Sequence, residues 1–147
     1  MTIFVTGGAG FIGSNFIRYW LEHFDEQIVN IDVLTYAGNL NNLKQVNGDP
    51  RYVFIRSDIG DYGRISELLN KYRPRAALNF AAESHVDNSI KNPGVFVETN
   101  VNGTFTLIDV AYKTWMEKPF VWKEGYEACR FYHISTDEVY GSLGETG

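Results

Sequence analysis

Thr6-Gly7-Gly8-Ala9-Gly10-Phe11-Ile12-Gly13 follows the apolar run Ile3-Phe4-Val5 and opens onto a stretch with helical periodicity. Gly7, Gly10 and Gly13 have the spacing G-x-x-G-x-x-G, placed between a strand and a helix. Gly7 permits a tight turn. Gly10 lets backbone amides approach a pyrophosphate with no Cβ in the way. Gly13 lets the helix lie close to the sheet. The start of the helix, at Phe11 and Ile12, offers unpaired N–H groups and a partial positive charge to an anion. Asp32 closes the second apolar run, nineteen residues past Gly13. A carboxylate there accepts hydrogen bonds from adenosine ribose hydroxyls and repels a 2′-phosphate, which predicts NAD rather than NADP. The competing reading is a tight turn and a cap aspartate with no ligand.

Working outward, strand-like and helix-like stretches alternate. Residues 28–31, 52–55, 76–80 and 131–134 read as further buried strands. Ile12, Phe16 and Trp20, with Ile17, Leu21 and Phe24 beside them, give the first helix a wide apolar stripe. Ile65, Leu68, Leu69 and Tyr72 give a second helix its i, i+3, i+4, i+7 face, with Asp61 as its cap and Pro74 after its end. A long helical pattern after Pro93 includes Phe96, Phe105, Ile108, Tyr112 and Trp115, and is interrupted by Asn100, Asn102 and Gly103. Residues 117–128 read as a loop. Continuously apolar strands alternating with helices predict an α/β fold, a doubly wound parallel sheet of Rossmann type with strand order 3-2-1-4-5. Ligands of such sheets bind beyond the carboxyl ends of the strands, where the winding reverses.

The other candidate residues lie at those ends. Asp58, with Ile59 after it, ends the third strand where an adenine edge would lie; a loop or cap role is the alternative. Ala81 and Ala82 end the fourth and leave room for a cofactor, although small residues also fill cores. Ser84 and His85 follow as candidate substrate contacts; His85 either meets a substrate phosphate or bonds within its loop. Ser135-Thr136-Asp137-Glu138 follows the fifth strand. Two carboxylates can hold opposite protonation states, so that one protonates a leaving hydroxyl while the other removes a carbon-bound proton. A solvated Asp–Glu pair is the alternative, which the position on the ligand rim disfavours. His133 reads as packed within a strand, and His23 as a contact to a helix end.

Composition narrows the function. The 147 residues suit one domain, 1–147, and 44% hydrophobic residues support a core. A net charge of -5 speaks against nucleic acid or an anionic membrane as partner. Cys129 is the only cysteine, so no disulfide forms within the chain, and its place before an apolar run reads as a buried thiol. No His/Cys/carboxylate group has metal-ligand spacing, so no metal is expected. With no leader-like segment and no apolar run near the ~20 residues of a membrane span, a cytoplasmic location is expected.

The stretches Thr6 to Gly13, Thr35-Tyr36-Ala37-Gly38-Asn39-Leu40, Ala81-Ala82-Glu83-Ser84-His85-Val86-Asp87 and Ser135-Thr136-Asp137-Glu138-Val139-Tyr140-Gly141 resemble the dTDP-glucose 4,6-dehydratases of the extended short-chain dehydrogenase/reductase family. The resemblance runs over nearly the whole chain and matches the N-terminal portion of such an enzyme. Asn88 departs from it, standing where arginine is expected. The resemblance implies a lyase that oxidises C4 of a nucleotide-linked glucose with NAD, loses water across C5 and C6, and returns the hydride to C6. It gives Thr136 a hydrogen bond to the C4 oxygen, Asp137 the role of general acid on the C6 hydroxyl, and Glu138 that of base at C5. It also implies a tyrosine and a lysine four residues later, which lie beyond Gly147, together with the later strands and a substrate domain. The expectation is that this polypeptide alone binds NAD weakly and turns over little substrate. The fifth strand is expected to present an unpaired apolar edge that favours association, and the helix of Phe105 and Trp115 to pair in a homodimer of the complete enzyme. Another NAD-dependent sugar-nucleotide epimerase or dehydratase, and a catalytically silent nucleotide-binding module, are the alternatives.

Overall fold

The computed structural model describes residues 1–136 together with Val139, Gly141 and Gly144, and for Val86 the backbone only. The main sheet contains β1 (Thr2–Thr6), β2 (Gln27–Asp32), β3 (Tyr52–Arg56), β4 (Ala76–Asn79) and β7 (Arg130–His133). All four pairings are parallel and the order is β3-β2-β1-β4-β7. This is the order expected from the sequence. The last strand is the seventh because a small antiparallel pair, β5 (Met116–Lys118) and β6 (Val121–Trp122), precedes it. The stretch read as a loop therefore contains a hairpin. Its strands are too short to carry an alternating pattern, and Phe120 turns it with φ 64°.

Alternation along the strands divides the core in two. Phe4 points to one face with Val29, Ile31 and Ala77, against Ile65, Leu68 and Leu69 of α2 (Tyr62–Tyr72) and Leu107, Val110 and Trp115 of α5 (Thr104–Trp115). Ile3 and Val5 point to the other, with Ile28 and Ala76, against Ile17 and Leu21 of α1 (Phe11–His23) and Leu43. Each large aliphatic side chain so buried contributes about 1.5–3 kcal/mol. Both strand faces are covered, which is why the strands read as unbroken apolar runs.

Local chemistry fixes the helix ends. Asp61 caps α2, its Oδ1 accepting the Arg64 N–H at 3.0 Å. The helix ends at Arg73, in the left-handed region at φ 46°, just before Pro74. Arg51 closes the C-terminus of α1 by donating to the carbonyls of Leu21 and Phe24, each at 2.7 Å.

Two helical patterns are corrected. Ile12 and Phe24 do not join the buried stripe of α1; they are 62% and 43% exposed. After α3 (Val86–Lys91) and α4 (Pro93–Phe96) the chain runs through a π-helical stretch, Val97–Gly103, into α5. Asn100, Asn102 and Gly103, which interrupt the sequence pattern, lie within that stretch. On α5 the core takes Leu107, Val110, Ala111 and Trp115, while Phe105, Ile108 and Tyr112 face outward. Along β7, Arg130, Tyr132 and His133 are exposed and only Phe131 is partly covered, so the last strand of the described sheet is less buried than its sequence suggested. No helix among the described residues is long and apolar enough to cross a membrane.

Candidate active site

A cavity of about 490 Å³ opens at the carboxyl ends of the strands. It falls within the ~300–1,000 Å³ of small-molecule sites. Of the cofactor residues expected from sequence, Gly7, Gly10, Asp32, Asp58, Ile59, Ala81 and Ala82 line it. Gly13, Phe11 and Ile12 do not. Phe11 is 81% exposed at the start of α1.

The glycine turn is built by two close approaches. Gly7 has φ 66°, and a Cβ on it would lie 2.6 Å from the Ala81 nitrogen, two residues past the end of β4. Only glycine meets both conditions. A Cβ on Gly13 would lie 2.5 Å from the Gly7 carbonyl oxygen. Gly13 thus admits the turn itself against the helix, whereas the spacing had suggested contact with the sheet. The N–H groups of Phe11, Ile12 and Gly13 have no hydrogen-bond partner among the described residues. Phe11 and Ile12 are exposed and leave the N-terminus of α1 open to an anion, whereas Gly13 is buried.

Asp32 is 7% exposed. Its Oδ2 accepts the Ala9 N–H at 2.9 Å and its Oδ1 the Leu34 N–H at 2.8 Å. One carboxylate thus joins the glycine turn to the loop after β2, and its remaining lone pairs border the cavity. The sequence identified this residue but not its structural half. Asp58 accepts the Gly60 N–H at 2.7 Å and so shapes the turn into α2 while bordering the cavity.

The segment after β4 runs from Phe80 through Ala81 and Ala82 to Glu83, all of which line the cavity. Ser84 and His85 are exposed beyond it, outside the cavity lining. The backbone carbonyl of His85 accepts the N–H of Asn88 at 2.9 Å and opens α3. Thr136 is exposed after β7, its carbonyl accepting the Val139 N–H at 3.4 Å. Asp137 and Glu138 lie outside the described residues.

Beneath this rim a polar chain, buried from Thr6 to Thr104 and reaching the surface at His133, joins three strands and α5. The Thr6 hydroxyl donates to Asn79 Oδ1 at 2.5 Å. The Asn79 amide nitrogen donates to Thr104 Oγ1 and to His133 Nδ1, both at 3.2 Å. His133 is exposed and hydrogen-bonded through its ring, rather than packed as its place in a strand implied. His23 bonds the Tyr19 carbonyl at 2.8 Å, at the end of α1 as read from the sequence. Cys129 is buried, its thiol on the Pro74 carbonyl, and burial pushes that thiol's pKa up. Among the described residues, no three His, Cys, Asp or Glu side chains converge as metal ligands.

Sequence reasoning assigned no role to two other parts of the lining. Thr35, Ala37 and Gly38 enter from the loop after β2, and Glu98 and Thr99 from the π-helical stretch. The first lies within the stretch Thr35 to Leu40, one of those that carry the resemblance. The only signal for the second was the break in helical pattern at Asn100.

A doubly wound parallel sheet, a glycine turn into α1 and a cavity at the carboxyl edge define a Rossmann-type α/β protein. Residues 4–147 match the sequence profile of GDP-mannose 4,6 dehydratase, and the chain belongs to that family. It is 50% identical over 148 residues to a dTDP-glucose 4,6-dehydratase of Xanthomonas campestris and 50% identical over 144 residues to one of Neisseria meningitidis, covering 99% and 98% of this chain and 40% of each relative. The chain thus spans about 40% of the length of these relatives. Among solved structures, a Streptomyces venezuelae dTDP-glucose 4,6-dehydratase with NAD bound superposes with TM-score 0.82 at 43% identity, covering 99% of this chain and 42% of that one. A UDP-Glc/GlcNAc 4-epimerase of Campylobacter jejuni superposes with TM-score 0.79 at 27% identity, covering 95% and 38%.

Proposed function

We propose that residues 1–147 form the NAD-binding part of a dTDP-glucose 4,6-dehydratase, a cytoplasmic lyase acting on a nucleotide-linked hexose. The observation that carries this is the cavity at the carboxyl edge, bordered by Gly7, Gly10 and the Asp32 carboxylate. The residues fit the cofactor. The open amides of Phe11 and Ile12 suit a diphosphate, Asp32 a ribose diol, and Asp58, Ile59, Ala81 and Ala82 the rest of a dinucleotide. NAD held by these residues would supply hydride-transfer chemistry, as acceptor toward C4 and donor toward C6 of the hexose. Thr136 hydrogen-bonds the C4 oxygen, Glu138 takes the C5 proton and Asp137 protonates the departing C6 hydroxyl, so water leaves across C5 and C6. Ser84 and His85 border the substrate. The complete protein works as a homodimer.

Calorimetric titration of the chain with NAD, NADP and dTDP-glucose separately tests the cofactor half. NAD is expected to bind at least about tenfold more tightly than NADP, and Asp32→Ala to lose that preference, since the carboxylate is what a 2′-phosphate meets. Equal affinity for the two cofactors, or none for NAD, overturns the reading. A 4-epimerase is the second reading, favoured by the superposition on the Campylobacter jejuni enzyme. The Asp137–Glu138 pair distinguishes them, because epimerisation at C4 loses no water.

A further inference from the structure

We propose that Asn47 is a site of spontaneous covalent modification, where the side-chain carboxamide closes onto the Gly48 backbone nitrogen and is hydrolysed to an aspartyl residue. The sequence offers two candidates with the same local chemistry, Val46-Asn47-Gly48 and Val101-Asn102-Gly103. Glycine has no Cβ to cover the nitrogen that follows the asparagine, so both pairs are open to this reaction in an unfolded chain. Tertiary structure separates them.

Asn47 and Gly48 are exposed in the loop between β2 and β3. A Cβ on Gly48 would meet nothing within 4 Å. Neither the Asn47 carboxamide nor the Gly48 N–H has a hydrogen-bond partner among the described residues. One backbone bond spans the pair, from the Asp49 N–H to the Val46 carbonyl at 3.0 Å. Asn102 and Gly103 instead lie inside the π-helical stretch. The Asn102 Nδ2 donates to Glu98 Oε2 at 3.0 Å. Gly103 is buried, and a Cβ on it would lie 2.7 Å from Ile59 Cγ1. For Asn102 to react, the helical turn must open and its packing be lost, whereas an exposed turn with one hydrogen bond opens readily.

In the reaction the Gly48 nitrogen bonds to the Asn47 Cγ and the Cγ–Nδ2 bond breaks. The proton from the Gly48 nitrogen passes through solvent to the departing ammonia. Water then opens the cyclic imide at either carbonyl. One opening gives aspartate; the other carries the main chain through the side-chain carbon. Nothing is oxidised or reduced, and water is the one co-reactant. Either product makes the formal net charge of -5 one unit more negative. The change falls two residues before Asp49, whose carboxylate holds the Arg51 guanidinium that closes α1.

The purified full chain, incubated in mildly alkaline buffer, tests this. Aliquots are digested with trypsin, and peptides 45–51 and 92–113 are followed by mass spectrometry. In the folded chain Asn47 is expected to convert at least about tenfold faster than Asn102, and in guanidinium chloride the two rates are expected to agree within about threefold. Gly48→Ala meets open space and no left-handed φ. It is expected to slow conversion at Asn47 by about tenfold, because the new methyl shields the attacking nitrogen. Asn47 reacting no faster than Asn102 in the folded chain, or equally fast with Gly48→Ala, overturns the proposal. A gap that persists undiminished in guanidinium chloride overturns the part given to the fold.

Discussion

At Gly7 a backbone angle and a neighbour impose the same choice. The residue holds φ 66°, and its missing Cβ leaves room for the Ala81 nitrogen. An alanine there pays for the left-handed conformation, about 1–2 kcal/mol, and must also push the end of β4 aside. Gly7→Ala is therefore expected to lower the unfolding free energy by at least ~2 kcal/mol in urea titration; a curve overlying that of the wild type would contradict it. This requirement was legible from the glycine spacing. The tie that Asp32 makes to the amides of Ala9 and Leu34 was not, because a carboxylate at a strand end reads as a ligand contact whether or not it also holds its own loop.

Helix α2 shows how much an element owes to its own sequence. Asp61 caps it, three buried positions recur on one face, and the left-handed Arg73 ends it before Pro74. Asp61→Ala leaves the Arg64 N–H without its side-chain acceptor and is expected to cost about 1 kcal/mol, measured as a fall in the urea midpoint with unchanged slope. No change in midpoint would mean that the cap contributes nothing net. The segment from Pro93 to Trp115 was less legible. Asn100, Asn102 and Gly103 mark a break, but periodicity cannot distinguish a loop from a wider helical turn. The β5–β6 hairpin was hidden for another reason. Strands this short show no alternation, and the pair is tethered by the Lys123 N–H on the Trp115 carbonyl, a contact outside both strands.

For the molecule as a whole, ion pairs join elements that the sheet order keeps apart. Arg75, just before β4, donates from Nε to Glu26 Oε1 at 2.5 Å and from Nη2 to Oε2 at 2.6 Å, across the start of β1. The Arg75 hydrogen bonds hold the Glu26 carboxyl below its ordinary 4.5, against the opposing effect of burial. Asp49 is held low in the same way by Arg51. A carboxyl whose pKa falls on folding adds stability above its unfolded value and loses it as the pH drops through the folded one. Stability is therefore expected to decline below about pH 4.5, and Glu26→Gln to flatten that decline; urea midpoints measured from neutral to acid pH would refute this if the two slopes matched. By itself the sequence determined the strand order, the glycine turn, the capped α2 and the rim shared by Gly7, Gly10, Asp32, Asp58, Ile59, Ala81 and Ala82. Each of these follows from hydrophobic period and local backbone chemistry, which neighbours in the chain record. The tertiary structure alone decided that Asn100 meets Glu83, that Glu26 meets Arg75, and that α5 leaves Phe105 and Ile108 outside the core. Those outcomes depend on which surfaces the crossovers bring face to face, and no local pattern carries that.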